Sequence, residues 1–247
     1  MHNSGERTIR PFVEWWRRHP DVGPLTLILG VGLLFRVALL YRVPPLFMPG
    51  DSQSFLVPAF DLARGLPFDP ILKRPLGYPL LLAGIIYLFG EDPRSIVVVQ
   101  AALGLATVAA TYGIGRLAYG RAAGLLAGLL VAVGGQLLIY EHYLLAESVF
   151  ALLLSLAVLA LMAAVGQGTV TQADTRQGRS MALLGGATLG LAGLFRPVAE
   201  VLVPIVPIFF LLAAERRRSA LRLTAFAGLG LGLVLGPAFL ADLTLRG

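Results

Sequence analysis

The chain has no cysteine, only three histidines and two tryptophans in 247 residues. Without cysteine there is no disulfide, no thiolate metal site and no cysteine nucleophile. Charge is also scarce: 14% of the residues are Asp, Glu, Lys or Arg, against 57% hydrophobic. No Gly-rich phosphate loop, serine elbow or paired-histidine zinc motif occurs. The alternating pattern of a membrane β-barrel is missing, because the apolar runs are continuous and rich in Leu, Ala and Gly. The net charge of +6 does not mark a nucleic-acid binder, since the arginines fall in short clusters between apolar runs. Such clusters report orientation in a membrane.

What remains is long apolar runs and a mean hydropathy of +0.79. Several runs approach the roughly 20 residues that cross a bilayer. The composition predicts an all-α, polytopic helical membrane protein. Residues 1–23 form a basic segment, and Trp15 and Trp16 beside Arg17 and Arg18 suit either an interfacial helix or a frayed tail with anchors. No small-residue cleavage site follows the first apolar run, so it is read as a retained anchor. Residues 24–247 form the transmembrane module. About seven spans are expected, over Pro24–Tyr41, Ser95–Ala118, Ala122–Ile139, Glu147–Val165, Met181–Phe195, Val198–Ala214 and Leu223–Leu240. Arg36 lies inside the first span, as a snorkelling or a functional residue. Gly124/Gly128, Gly186/Gly190 and Gly228/Gly232/Gly236 have the four-residue spacing of close helix packing. Gly166–Ser180 reads as a flexible polar linker.

Topology turns on Leu76–Phe89, an apolar piece too short for an ordinary span. If it stays outside, Arg7, Arg10, Arg17, Arg18, Arg116, Arg121, Arg176, Arg179, Arg216, Arg217, Arg218 and Arg222 are cytoplasmic, twelve of the 20 basic residues. If it crosses, the last eight move outside. The positive-inside rule favours the first reading, with the N-terminus cytoplasmic. Residues 42–92 then form a first outer loop with juxtamembrane helices.

That loop carries the first candidates. Asp51 follows Met48-Pro49-Gly50 and precedes Phe55, Leu56, Ala59, Phe60 and Ala63, which share one helical face. It reads equally as an N-cap or as a general base held just above the hydrocarbon. Pro58 should kink or delay the helix. Lys73 and Arg74 precede a proline-bounded turn at the depth of lipid phosphates, as a phosphate clamp or as cations meeting headgroups. Glu147 opens the fourth span, where the helix dipole favours a carboxylate and a functional charge would also sit. Glu141 and His142 offer a weak metal pair, with no ligand spacing. Arg196 could pair with Glu200 four residues on or turn to a phosphate.

In this order the pieces resemble the GT-C superfamily of membrane glycosyltransferases. The nearer resemblance is to the branch with protein O-mannosyltransferases and lipid A aminoarabinose transferases. The matching features are Asp51 after the first span and Arg74-Pro75-Leu76-Gly77-Tyr78-Pro79 leading to Phe89-Gly90. Glu147 in LLAESVF and Arg196-Pro197 in GLFRPVAE complete the set. The resemblance implies transfer of a sugar from a polyprenyl-phosphate carrier to a lipid, glycan or protein acceptor. It places the reaction on the outer face of the inner or plasma membrane, among membrane lipids, with inversion at the anomeric carbon. It implies Asp51 as general base and Arg74, with Lys73, as carrier-phosphate ligands. Arg196 is a weaker phosphate ligand. Glu147, with Glu141 and His142 nearby, would hold the acceptor or a divalent metal; no cofactor is otherwise implied. Ser52 stands where many relatives have a second acid, and Leu76 where many have a second proline. Relatives usually continue past a seventh span, so a truncated product, a fragment or a minimal member is expected, inactive by itself if a missing part supplies the acceptor contacts. The alternatives are a transporter or flippase for a lipid-linked sugar and a non-catalytic binding scaffold. A transporter would place its polar groups near the midplane.

Overall fold

The computed structural model describes residues 20–66, 74–166, 173 and 175–246. The segment carrying Arg7, Arg10, Arg17 and Arg18 lies outside the described residues, as do Lys73 and residues 167–172 of the polar linker. The described residues form an all-α protein without strands, apart from one parallel bridge between Leu46 and Tyr143.

Among the described residues four helices are long and apolar enough to cross a membrane. They are α1 (Val22–Arg42), α4 (Pro93–Tyr119), α7 (Glu147–Val165) and the Arg217–Leu240 part of α10 (Arg217–Arg246). Between them lie α2 (Asp51–Ala63), α3 (Gly77–Phe89), α5 (Arg121–Ala132), α6 (Gly135–His142), α8 (Arg176–Phe195) and α9 (Ile205–Ala213). Local chemistry sets several starts. The Asp92 carboxylate accepts from the Arg94 amide, with Pro93 at the first helical position of α4. Thr175 caps α8 by accepting from the Gly178 amide, which starts this helix five residues before the expected Met181.

Of the seven expected spans, length and composition alone support four among the described residues, or five if α5 and α6 act as one span, so the count of seven is not confirmed. The third expected span is bent by 45° between those two helices. Gly134 takes an extended conformation there, and the α ladder stops. The sixth is not a continuous α-helix either. Pro197–Leu202 is a 3-10 helix, and α9 begins only after Pro204. Each proline lacks the amide hydrogen that would continue an α-helix. This broken segment still returns the chain along the bundle. Gly186 faces Ala227 and Gly190 faces Leu231, so α8 and α10 run parallel and what joins them must travel back.

That parallel pair rests on small residues, though not all those the spacing picked out. Gly186 and Gly190 lie in the interface. Gly228, Gly232 and Gly236 face open space, and Gly230 takes the contact instead, against the Leu183 carbonyl. The repeat of four was right for α8 and displaced by two residues on α10, because a glycine-rich run offers several registers and packing selects one. Gly186→Ala is the sharp test. A Cβ there would overlap the Ala227 carbonyl oxygen, so backbone must move. Overpacking of this kind costs about 1–3 kcal/mol. The thermal unfolding midpoint of the detergent-solubilised protein should fall, whereas Gly228→Ala should leave it near the native value.

At the other end of the bundle α2 and α3 pack together against the α6–α7 connection. Phe55, Tyr78, Leu82, Ile86, Leu144 and Val149 form the centre of this cluster. The apolar face read after Asp51 is the buried one, and Pro58 lies inside the helix without ending it. Leu46 donates its amide to the His142 carbonyl (2.8 Å) and accepts from the Leu144 amide (3.2 Å). The start of the first loop is thus stitched to the turn before Glu147.

Candidate active site

Gly50 turns the chain with φ +83°, a left-handed conformation that glycine adopts freely, and α2 begins at Asp51. Asp51 is therefore in the first turn and not the N-cap. Its carboxylate reaches across the loop and forms an ion pair with Arg74. Both side chains stay partly exposed, at 44% and 38%. The Arg74 guanidinium also lies 5.2 Å from the centroid of the Phe55 ring, one turn along α2 from Asp51. The two ends of the loop, 23 residues apart, thus meet in one small constellation.

A second pair stands at the same end. Glu147, the first residue of α7, accepts from Arg196 at the end of α8 (2.7 Å). Arg196 does not take Glu200, because Pro197 opens a 3-10 helix and the four-residue α spacing is lost. The start of α3 fits against the end of α8 so closely that a Cβ on Gly77 would lie 2.7 Å from the Leu194 carbonyl oxygen. Tyr78 sits between the two pairs, fully buried. Its ring meets Phe55 edge to face at 5.1 Å. Burial first, and the Glu147 carboxylate second, raise its phenol well above the usual value. Tyr78 therefore remains a hydrogen-bond donor, and gives its proton to Gln100 Oε1 at 2.7 Å.

Glu141 and His142 are placed differently from Asp51, Arg74, Glu147 and Arg196. Both are buried, at 0% and 2% exposure. Glu141 binds Arg36 at 2.5 Å, and Arg36 is itself only 1% exposed. Arg36 thus neither snorkels nor reaches the surface; it also donates to the Gly32 carbonyl at 3.1 Å. Gly104 makes room, since a Cβ there would overlap the Glu141 carboxylate. His142 Nδ1 lies 3.1 Å from the Leu138 carbonyl, which can only accept, so this nitrogen carries the proton. Among the described residues no group of three His, Asp or Glu side chains gathers that could hold a metal ion.

In the sequence Tyr78 stands out only as part of the Arg74–Pro79 motif, with no role of its own, and Gln100 only as a member of an apolar helix. The signal for Gln100 was available: an amide in the apolar run Ile96–Ala101 needs partners inside the protein. Chemically, the constellation offers two guanidinium groups and two carboxylates at one end of a helical bundle. Each cation is held by a carboxylate that an entering phosphate can displace.

A family model described as dolichyl-phosphate-mannose-protein mannosyltransferase matches residues 73–240. The matched range contains Arg74, Glu147 and Arg196 and begins after Asp51. No curated protein and no solved structure matches the chain.

Proposed function

Because this chain belongs to the dolichyl-phosphate-mannose-protein mannosyltransferase family and is a multi-pass membrane glycosyltransferase of the GT-C type, we propose that it moves a sugar from a polyprenyl-phosphate carrier to a hydroxyl acceptor at the Asp51–Arg74 end of the bundle. The observation that supports this most is the pairing of Asp51 with Arg74 beside Glu147 and Arg196. The carrier phosphate takes Arg74 from Asp51, and the freed carboxylate faces the acceptor. The acceptor oxygen attacks the anomeric carbon from the side opposite the phosphate. The bond from that carbon to the phosphate oxygen breaks, and its electron pair stays on the phosphate. Asp51 takes the hydroxyl proton, and Arg74 neutralises the charge that develops on the leaving group. One displacement inverts the anomeric carbon and needs no protein nucleophile. Glu147, held by Arg196, orients the acceptor.

The carrier's prenyl chain has an apolar place to lie. A cavity of about 180 Å³ runs beside α7, lined by Leu154, Ala157, Leu161, Leu189 and Val206 among others. The opposite end of the bundle carries Arg116 and Arg121 around Asp21, and Arg176, Arg179 and Arg217 at the starts of α8 and α10. This asymmetry supports a cytoplasmic N-terminus and an active end outside the cell.

The test is sugar transfer in detergent or liposomes with dolichyl-phosphate mannose, the donor in the family's description, and its polyprenyl analogue. Losing a charge-assisted hydrogen bond removes about 1.5–3 kcal/mol, so Arg74→Ala should raise the donor KM roughly 10- to 100-fold. Arg74→Lys should recover part of that loss. An unchanged donor KM in Arg74→Ala would remove the phosphate assignment, and no transfer by the native chain from either donor would remove the function.

A further inference from the structure

Gln100 is fully buried near the start of α4, and its side-chain amide has each of its directional groups engaged. Oε1 accepts from the Tyr78 hydroxyl at 2.7 Å. Nε2 donates to the Glu141 carbonyl at 2.8 Å and to the Tyr143 carbonyl at 2.9 Å. The orientation of the amide follows from its partners. Two carbonyls can only accept, so the nitrogen faces them and the oxygen faces Tyr78. No other side chain of this size offers one acceptor on one side and two donors on the other.

What the amide joins matters for the reaction. On one side Tyr78 stands four residues after Arg74, in the first turn of α3, and against Phe55, the ring that carries the Arg74 guanidinium. On the other side the Glu141 and Tyr143 carbonyls bracket the turn that is bridged to Leu46 and leads into Glu147. The helix α3 has no covalent tie to that turn, and it is joined to α2 through residues 64–76. Packing of Phe55, Leu82 and Ile86 is apolar and tolerates sliding, whereas three hydrogen bonds from one amide set distance and angle together.

We propose that Gln100 is a positioning residue for the transfer reaction, acting through Tyr78 to hold the Arg74 segment in register with the turn that presents Glu147. The assignment rests on the glycosyl-transfer reading above. It gives the buried amide a part in catalysis that neither its own exposure nor contact with substrate would reveal. A misplacement of about 1 Å between reacting groups costs on the order of 10²-fold in rate, so the effect falls on kcat as well as on donor KM.

The experiment uses the full chain with Gln100→Leu, Tyr78→Phe, the double variant and Gln100→Asn. The native chain has no cysteine, so spin labels attached at Leu88→Cys on α3 and Leu156→Cys on α7, both exposed, report the spacing of the two elements independently of activity. Expected are broadened inter-label distances in Gln100→Leu and Tyr78→Phe, a loss of kcat of about 10²-fold in each, and a double variant no slower than Gln100→Leu alone. Gln100→Asn, shorter by one methylene, should recover less than half of the lost rate, because it cannot reach both sides. Leu82→Ala, which removes packing in the same cluster without touching the amide, should lower the unfolding temperature more and kcat less. Native label distances in both single variants, or losses of kcat that merely follow the losses of unfolding temperature across all variants, would overturn the assignment while native transfer still supports the function. Broadened distances in variants of a chain whose native form transfers no sugar would overturn the function proposed above, and the catalytic role with it.

Discussion

Asp51→Asn lowers the rate of sugar transfer by about 10²–10⁴-fold at saturating donor and acceptor, the range that a general base contributes. The substitution keeps the size of the side chain and a hydrogen-bonding oxygen for Arg74, so the loop closes as before. What it removes is the site that accepts the acceptor's proton. The loss therefore appears in kcat, with the donor KM changed far less than in Arg74→Ala. Folding should be nearly unaffected, because the Asp51–Arg74 pair is exposed at 44% and 38% and exposed ion pairs contribute little to stability. Initial rates and thermal unfolding on the same preparation separate the two effects. A native rate in Asp51→Asn would remove Asp51 from the chemistry, whatever its geometry.

The largest effect on stability is expected from Glu141→Ala. It leaves the Arg36 guanidinium, 1% exposed, without a counter-charge inside the bundle. Breaking a buried pair from one side costs about 3–5 kcal/mol. The converse replacement is informative. Arg36→Met combined with Glu141→Leu removes both charges and keeps apolar volume, and apolar substitutes of this kind are often neutral or stabilising. The pair is also incompletely satisfied, since Arg36 Nε and Glu141 Oε2 have no hydrogen-bond partner, so little polar interaction is lost with it. The double variant should therefore unfold near the native temperature and Glu141→Ala far below it. Equal midpoints for Glu141→Ala and the native chain would show that Arg36 reaches water or lipid headgroups after all.

These residues show where the sequence was readable. The start of α7 at Glu147 coincides with its expected position, because a polar turn gives way there to an uninterrupted apolar run. The amphipathic face after Asp51 was readable for a similar reason, as helical periodicity survives even with Pro58 inside it. The third and sixth expected spans were read as continuous, since hydropathy averages over Gly134, Pro197 and Pro204 and does not register a lost hydrogen bond. For Arg36 the sequence left snorkelling and a functional role open, because a single arginine near the end of an apolar run carries no mark of its partner 105 residues away. Of the site residues, Asp51 and Arg74 were conspicuous as charges in an apolar chain, whereas Tyr78 was visible only within its motif and Gln100 was hidden by the hydrophobic helix around it.

By itself the sequence determined an all-α membrane protein, the family resemblance, and the loop that carries Asp51 and Arg74. Composition and periodicity suffice for that, because the cost of exposing the backbone or charge to hydrocarbon acts on each segment separately. Only the tertiary structure decided which charges neutralise one another: Asp51 with Arg74, Glu147 with Arg196, and Arg36 with Glu141. It also decided that Gln100 stands between the two segments of the candidate site. Pairing of this kind depends on distances of a few ångströms between residues far apart in the chain. Those distances are set by which glycines let helices touch and where prolines break them, and no single segment carries that information.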